Sequence, residues 1–86
     1  MEYRCTIEKE GDLYVVQFPD MENIATCGFS QEHALEMAKE ALDGCLECDL
    51  SRGMAIPSPS FEGGFPVSVA GHIALRLERE LSLLPA

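Results

Sequence analysis

Two cysteines three positions apart, Cys45 and Cys48, form the sharpest chemical pattern in this chain. A C-x-x-C pair serves as a redox couple or supplies half of a zinc site, and zinc then needs two more ligands. Cys5, Cys27, His33 and His72 provide the number without the paired spacing of a finger. Cys45 and Cys48 also continue a stripe through Ala34, Ala38 and Ala41, where a thiol packs as a small apolar group. Core packing is therefore the expected role, and neither a metal nor a cofactor is expected.

Carboxylates come next. A divalent-metal nuclease needs clustered acids, and Asp12, Asp20, Glu22 and Glu36 are available. With fifteen Asp plus Glu in the chain, finding four acids is weak support. Asp12 lies in a turn and Asp20 at a strand end, where aspartate is favoured for its own backbone hydrogen bonding. A metal-dependent nuclease built around Asp20 remains the enzymatic alternative. His33 and His72 have no serine or cysteine placed as a nucleophile partner, and Gly28, Gly63 and Gly64 form no phosphate cradle. No catalytic residue is assigned, and the chain is read as a non-enzyme.

Glu36, Glu40, Asp43 and Glu47 recur at spacings of four, three and four, which sets them in one line along a helix. Such a line is either a plain solvated face or a surface that steers a basic partner. Together with Asp20, these are the candidate partner-binding residues. Six Lys plus Arg against fifteen Asp plus Glu give a formal charge of -9 and a pI near 4.4. That field repels phosphate backbones and attracts basic proteins, so DNA binding is not expected of this chain.

The elements that would carry these groups follow from periodicity. Tyr3, Cys5 and Ile7 alternate with Arg4, Thr6 and Glu8, the pattern of a half-buried strand. Lys9 to Asp12 supplies a turn, and Leu13 to Phe18 a second strand, closed by Pro19-Asp20. A third strand fits Ile24 to Cys27. Ser30 stands where an N-cap belongs, before a helix from about Gln31 to Ser51 whose Ala34, Leu35, Ala38, Ala41, Leu42, Cys45, Leu46 and Cys48 recur every three or four residues. Gly44 weakens that helix by ~1 kcal/mol relative to alanine, and Gly53 is placed to end it.

Met54 to Gly64 reads as a proline-rich extended linker. Phe65-Pro66-Val67 fits a short edge strand, Ser68 a second cap, and Val69 to Leu84 an amphipathic helix striped by Val69, Ile73, Leu77, Leu81 and Leu84. That stripe needs a surface, either this chain's sheet or another subunit. The fold class expected is α+β: a three- to four-stranded, mainly antiparallel sheet with one long helix packed on it, then a C-terminal helix. The division expected is a domain over residues 1–67 and a C-terminal helix over 68–86 for oligomerisation or partner contact. Eighty-six residues hide a small fraction of their surface, so a homodimer, a tetramer or another partner is anticipated. No run approaches the ~20 apolar residues of a membrane span, and Met1-Glu2-Tyr3-Arg4 does not begin a signal peptide. A cytoplasmic protein with reduced thiols is expected.

Three segments carry a resemblance. Tyr14-Val15-Val16-Gln17-Phe18-Pro19-Asp20, then Thr26-Cys27-Gly28-Phe29-Ser30-Gln31-Glu32-His33-Ala34, then Ile56-Pro57-Ser58-Pro59-Ser60 stand in the order found in HicB-type antitoxins, with His33 where that family usually has glutamate. Phe65-Pro66-Val67-Ser68-Val69-Ala70 is similar to the family's lead into its second helix. The resemblance spans nearly the whole chain. It implies a partial RNase H-like fold (β-β-β-α-β), and a domain that binds a small basic mRNA interferase of the HicA type and covers its catalytic histidine. Longer members continue into an operator-binding segment. This chain departs from them one helix past Val69, so operator binding is not expected of these residues. A stand-alone oligomeric regulator without a toxin is the third reading.

Overall fold

The computed structural model describes residues 1–82. The order is β1 (Glu2–Glu10), β2 (Leu13–Gln17), β3 (Ala25–Gly28), α1 (Gln31–Ser51), β4 (Phe65–Ser68) and α2 (Gly71–Ser82). All neighbouring strands are antiparallel, in the spatial order β3-β2-β1-β4. This is the α+β arrangement expected.

The period-two pattern decides which face is buried. Register pairs Tyr3 with Val67 and Cys5 with Phe65 on one side, and Ile7 with Val16 on the other, so these residues share the helix-facing side. Tyr3, Cys5, Val16 and Val67 are buried there against Ala34, Ala38, Leu42 and Leu46 of α1. Small residues at 34 and 38 let the helix axis approach closely. At Gly28 the approach is close enough that a Cβ would run into the backbone of Ala34.

Several boundaries differ from those expected. β1 extends to Glu10, so the hairpin turns on Gly11-Asp12 alone, with Gly11 at φ 62°. Lys9 belongs to the strand and lies over the Tyr14 ring, its Nζ 5.8 Å from the centroid. β3 is displaced one residue, to Ala25–Gly28, because Ile24 closes a turn by donating its N–H to the Met21 carbonyl. Phe18 lies past the end of β2 yet remains buried.

Helix α1 has the expected bounds. Ser30 Oγ accepts from the His33 N–H at 3.0 Å, and Gly53, at φ 68°, follows the Arg52 cap. Ser68 is not a helix cap. It ends β4, while Val69 N–H donates to the Met1 carbonyl, and α2 starts from Ala70, whose carbonyl accepts from Ile73 and Ala74. Strand pairing with the chain's start outcompetes the local cap, since it satisfies two backbone groups at once. Val69, Ile73 and Leu77 are buried in the same core as α1 and the sheet, so this chain itself supplies their surface. The Leu81 side chain and Leu84 lie outside the described residues.

Candidate protein-docking surface

Asp20 leaves β2 in the loop after Pro19 and meets the proline-rich segment forty residues later. Its carboxylate accepts from Ser60 N at 2.9 Å, Ser60 Oγ at 2.6 Å and Phe61 N at 3.0 Å. These bonds, the Ser60 hydroxyl foremost, hold its carboxyl below the usual aspartate range. Two neighbours complete the tie: Tyr3 Oη donates to the Pro57 carbonyl at 2.6 Å, and Arg4 donates to the carbonyls of Gly63 and Gly64 at 2.7 and 3.0 Å. Gly64 sits at φ 65° against the Cys5 carbonyl, where a side chain has no room. The segment expected to be a linker is therefore a strap fastened along one side of the sheet.

Both Asp20 oxygens are thus taken up by protein donors. Among the described residues, no group of three or more His, Cys, Asp or Glu is placed to hold a metal ion. Asp12 stands in the hairpin turn, and Glu36 is exposed on α1.

The acidic line of α1 divides. Glu36, Glu40 and Glu47 are exposed, whereas Asp43 is half-buried and engaged. Lys39 Nζ lies 3.1 Å from Asp43 Oδ2 and 2.8 Å from the Ser68 carbonyl, and Asp43 Oδ1 accepts the Ala70 N–H at 2.9 Å. Asp43 therefore places a negative charge at the amino end of α2, where the helix dipole favours it. An exposed i,i+4 pair alone contributes only ~0.3–0.5 kcal/mol. Its role here is to join α1, β4 and α2.

The C-x-x-C cysteines also separate. Cys45 is half-buried, packs against the core and accepts from Asn23 Nδ2 at 3.5 Å, while Cys48 is exposed rather than continuing the buried stripe. Burial, then the charge of Asp49, raises the Cys45 thiol's pKa, which keeps it protonated and poorly nucleophilic.

At the β3–α1 junction, His33 holds the third helical position, where a capping box has glutamate, but its side chain reaches one residue beyond the cap Ser30. Its Nδ1 accepts the Phe29 N–H at 3.0 Å, and its ring stacks on Phe29, with centroids 5.6 Å apart and planes 6° from parallel. Phe29 is nonetheless 77% exposed, an unusual place for a large aromatic. Leu13, one residue before the Tyr14–Gly28 pair that ends the β2–β3 ladder, is also exposed. Neither stands out in the sequence as a contact residue; the position of Phe29, just ahead of a cap serine, is the one signal that marks it.

The described residues thus define a small acidic α+β module, with buried positions spent on packing and most of its carboxylates turned outward. Residues 2–76 match the model of a family described as the HicB-like antitoxin of bacterial toxin-antitoxin systems, and the chain belongs to that family. It is 32% identical over 77 residues to Antitoxin HicB 2 of Photorhabdus laumondii subsp. laumondii, covering 90% of this chain and 55% of that protein. The chain therefore spans about half the length of that relative. No solved structure matches it at a significant level. No helix among the described residues is long and apolar enough to cross a membrane.

Proposed function

We infer that this chain neutralises a small basic mRNA interferase of the HicA type by covering its active site, performing no chemistry itself. The family match over residues 2–76 carries this reading. The charge of -9 supports it, because a basic ribonuclease is drawn to such a surface while nucleic acid is repelled. Glu36, Glu40 and Glu47 supply outward charge on α1, and Phe29 supplies an aromatic anchor of the kind that dominates interface energies. Asp20 and Asp43 act through the strap and the α2 junction they hold. Residues 1–67 are read as a partial RNase H-like scaffold, and residues 68–86, whose Val69, Ile73 and Leu77 are spent on the shared core, as offering their outward side, with Leu75 exposed, to a second copy or the toxin. The setting is the cytoplasm, the active form a homo-oligomer, and operator binding is not ascribed to these residues.

Co-purification with the product of the neighbouring gene tests the proposal. A stable complex that suppresses RNA cleavage by that product supports it. Cleavage of RNA by this chain alone, lost in Asp20→Asn, would replace it with the nuclease reading.

A further inference from the structure

A groove of about 460 Å³ opens beside the strap, between the loop after β2 and the carboxyl end of α1. Pro19, Met21, Met54, Ala55 and Pro57 give it apolar walls. Glu22 and Asp49 also line it, and their carboxylates take no hydrogen bond or ion pair among the described residues, while Asp20 adds its charge from the strap side. No lysine or arginine lines it. Met54 is 51% exposed there, apolar surface that folding leaves uncovered.

Apolar walls beside unpaired carboxylates suit one kind of side chain: a long methylene stem ending in a cation. We propose that this groove is a docking subsite for a lysine or arginine projected by the basic protein partner, its stem lying on Met54 and Pro57 and its charge between Glu22 and Asp49. A second copy of this chain is a poor occupant of this particular groove, because it offers only six Lys plus Arg, of which Arg4 and Lys39 are already engaged within the fold. An arginine fits better than a lysine, since its guanidinium is more weakly hydrated and can serve two carboxylates at once. The assignment rests on the antitoxin reading and names where part of the toxin is held.

The test is titration calorimetry with the purified product of the neighbouring gene, at two salt concentrations. Three forms are compared: wild type, Glu22→Gln/Asp49→Asn, and Glu2→Gln/Glu8→Gln, which removes the same charge from β1 outside the groove. The groove variant is expected to bind about 10-fold or more weakly with a flatter salt dependence, and the β1 variant within about 2-fold of wild type. Equal weakening of both variants would show a general field effect and overturn the subsite. So would wild-type affinity in the groove variant, with the antitoxin reading left intact. If wild type itself does not bind, the antitoxin reading falls and takes the subsite with it. Melting curves of all three forms separate a loss of binding from a loss of folding.

Discussion

Replacing Asp20 with alanine removes the acceptor for three donors, Ser60 N, Ser60 Oγ and Phe61 N. A protein hydrogen bond contributes ~0.5–1.5 kcal/mol net, and the low half of that range applies here because water reaches the half-exposed site. The expected loss is therefore about 1.5–3 kcal/mol, felt locally by the strap. Asparagine behaves differently. Its oxygen in the Oδ2 position can still accept from both backbone N–H groups, and its amide nitrogen in the Oδ1 position can donate to the Ser60 hydroxyl, so only the charge is lost. Asp20→Asn should cost about 0.5–1 kcal/mol. Amide hydrogen exchange reads this directly: exchange at Ser60 and Phe61 should quicken about 10- to 100-fold in the alanine variant and much less in the asparagine variant. The acid side follows the same sign. Because folding lowers the Asp20 pKa from its ordinary 3.8, the latch is fully formed above that pH and is released as pH falls below it. Unchanged exchange in Asp20→Ala, or an asparagine variant as damaged as the alanine one, would refute the latch.

Gly44 is exposed in mid-helix with open space where a Cβ would stand, so Gly44→Ala should add ~0.8 kcal/mol, read as a higher urea midpoint. Burial, with help from the charge of Asp20, pushes the Tyr3 phenol from 10.0 up to about 12, so the folded state prefers it neutral. Stability should hold up to pH 10 and decline between pH 10 and 12 in urea titrations, a decline that Tyr3→Phe lessens. Phe29→Ala removes a ring that is 77% exposed; it should shift stability by less than ~0.5 kcal/mol yet weaken toxin binding ~10-fold or more in calorimetry.

Much of this architecture is legible one residue at a time. The run from Ser30 to Gly53 shows its cap, its three-and-four spacing and its terminator locally, and α1 spans Gln31–Ser51 as that run implies. The latch is different. Phe18-Pro19-Asp20 and Ile56-Pro57-Ser58-Pro59-Ser60 both stand out in sequence, but a contact across forty residues leaves no periodicity to reveal that they meet. Ser68 misleads for a related reason: a small polar residue suits a helix cap as well as a strand end, and the bond from Val69 to Met1 that decides between them is non-local. Cys48 shows the limit of stripe counting: the buried line runs through Ala34, Ala38, Leu42 and Leu46, and Cys48, two residues past Leu46, is turned about 200° away from it and faces solvent. The groove was hidden because Glu22, Asp49 and Met54 come from a loop, a helix end and a strap that share no pattern.

Covering of a toxin's active site is tested most directly by RNA cleavage with the purified product of the neighbouring gene, measured while this chain is titrated in. Cleavage should fall to background near stoichiometric addition, with no cleavage by this chain alone. Undiminished cleavage at saturating amounts of the chain would contradict the account.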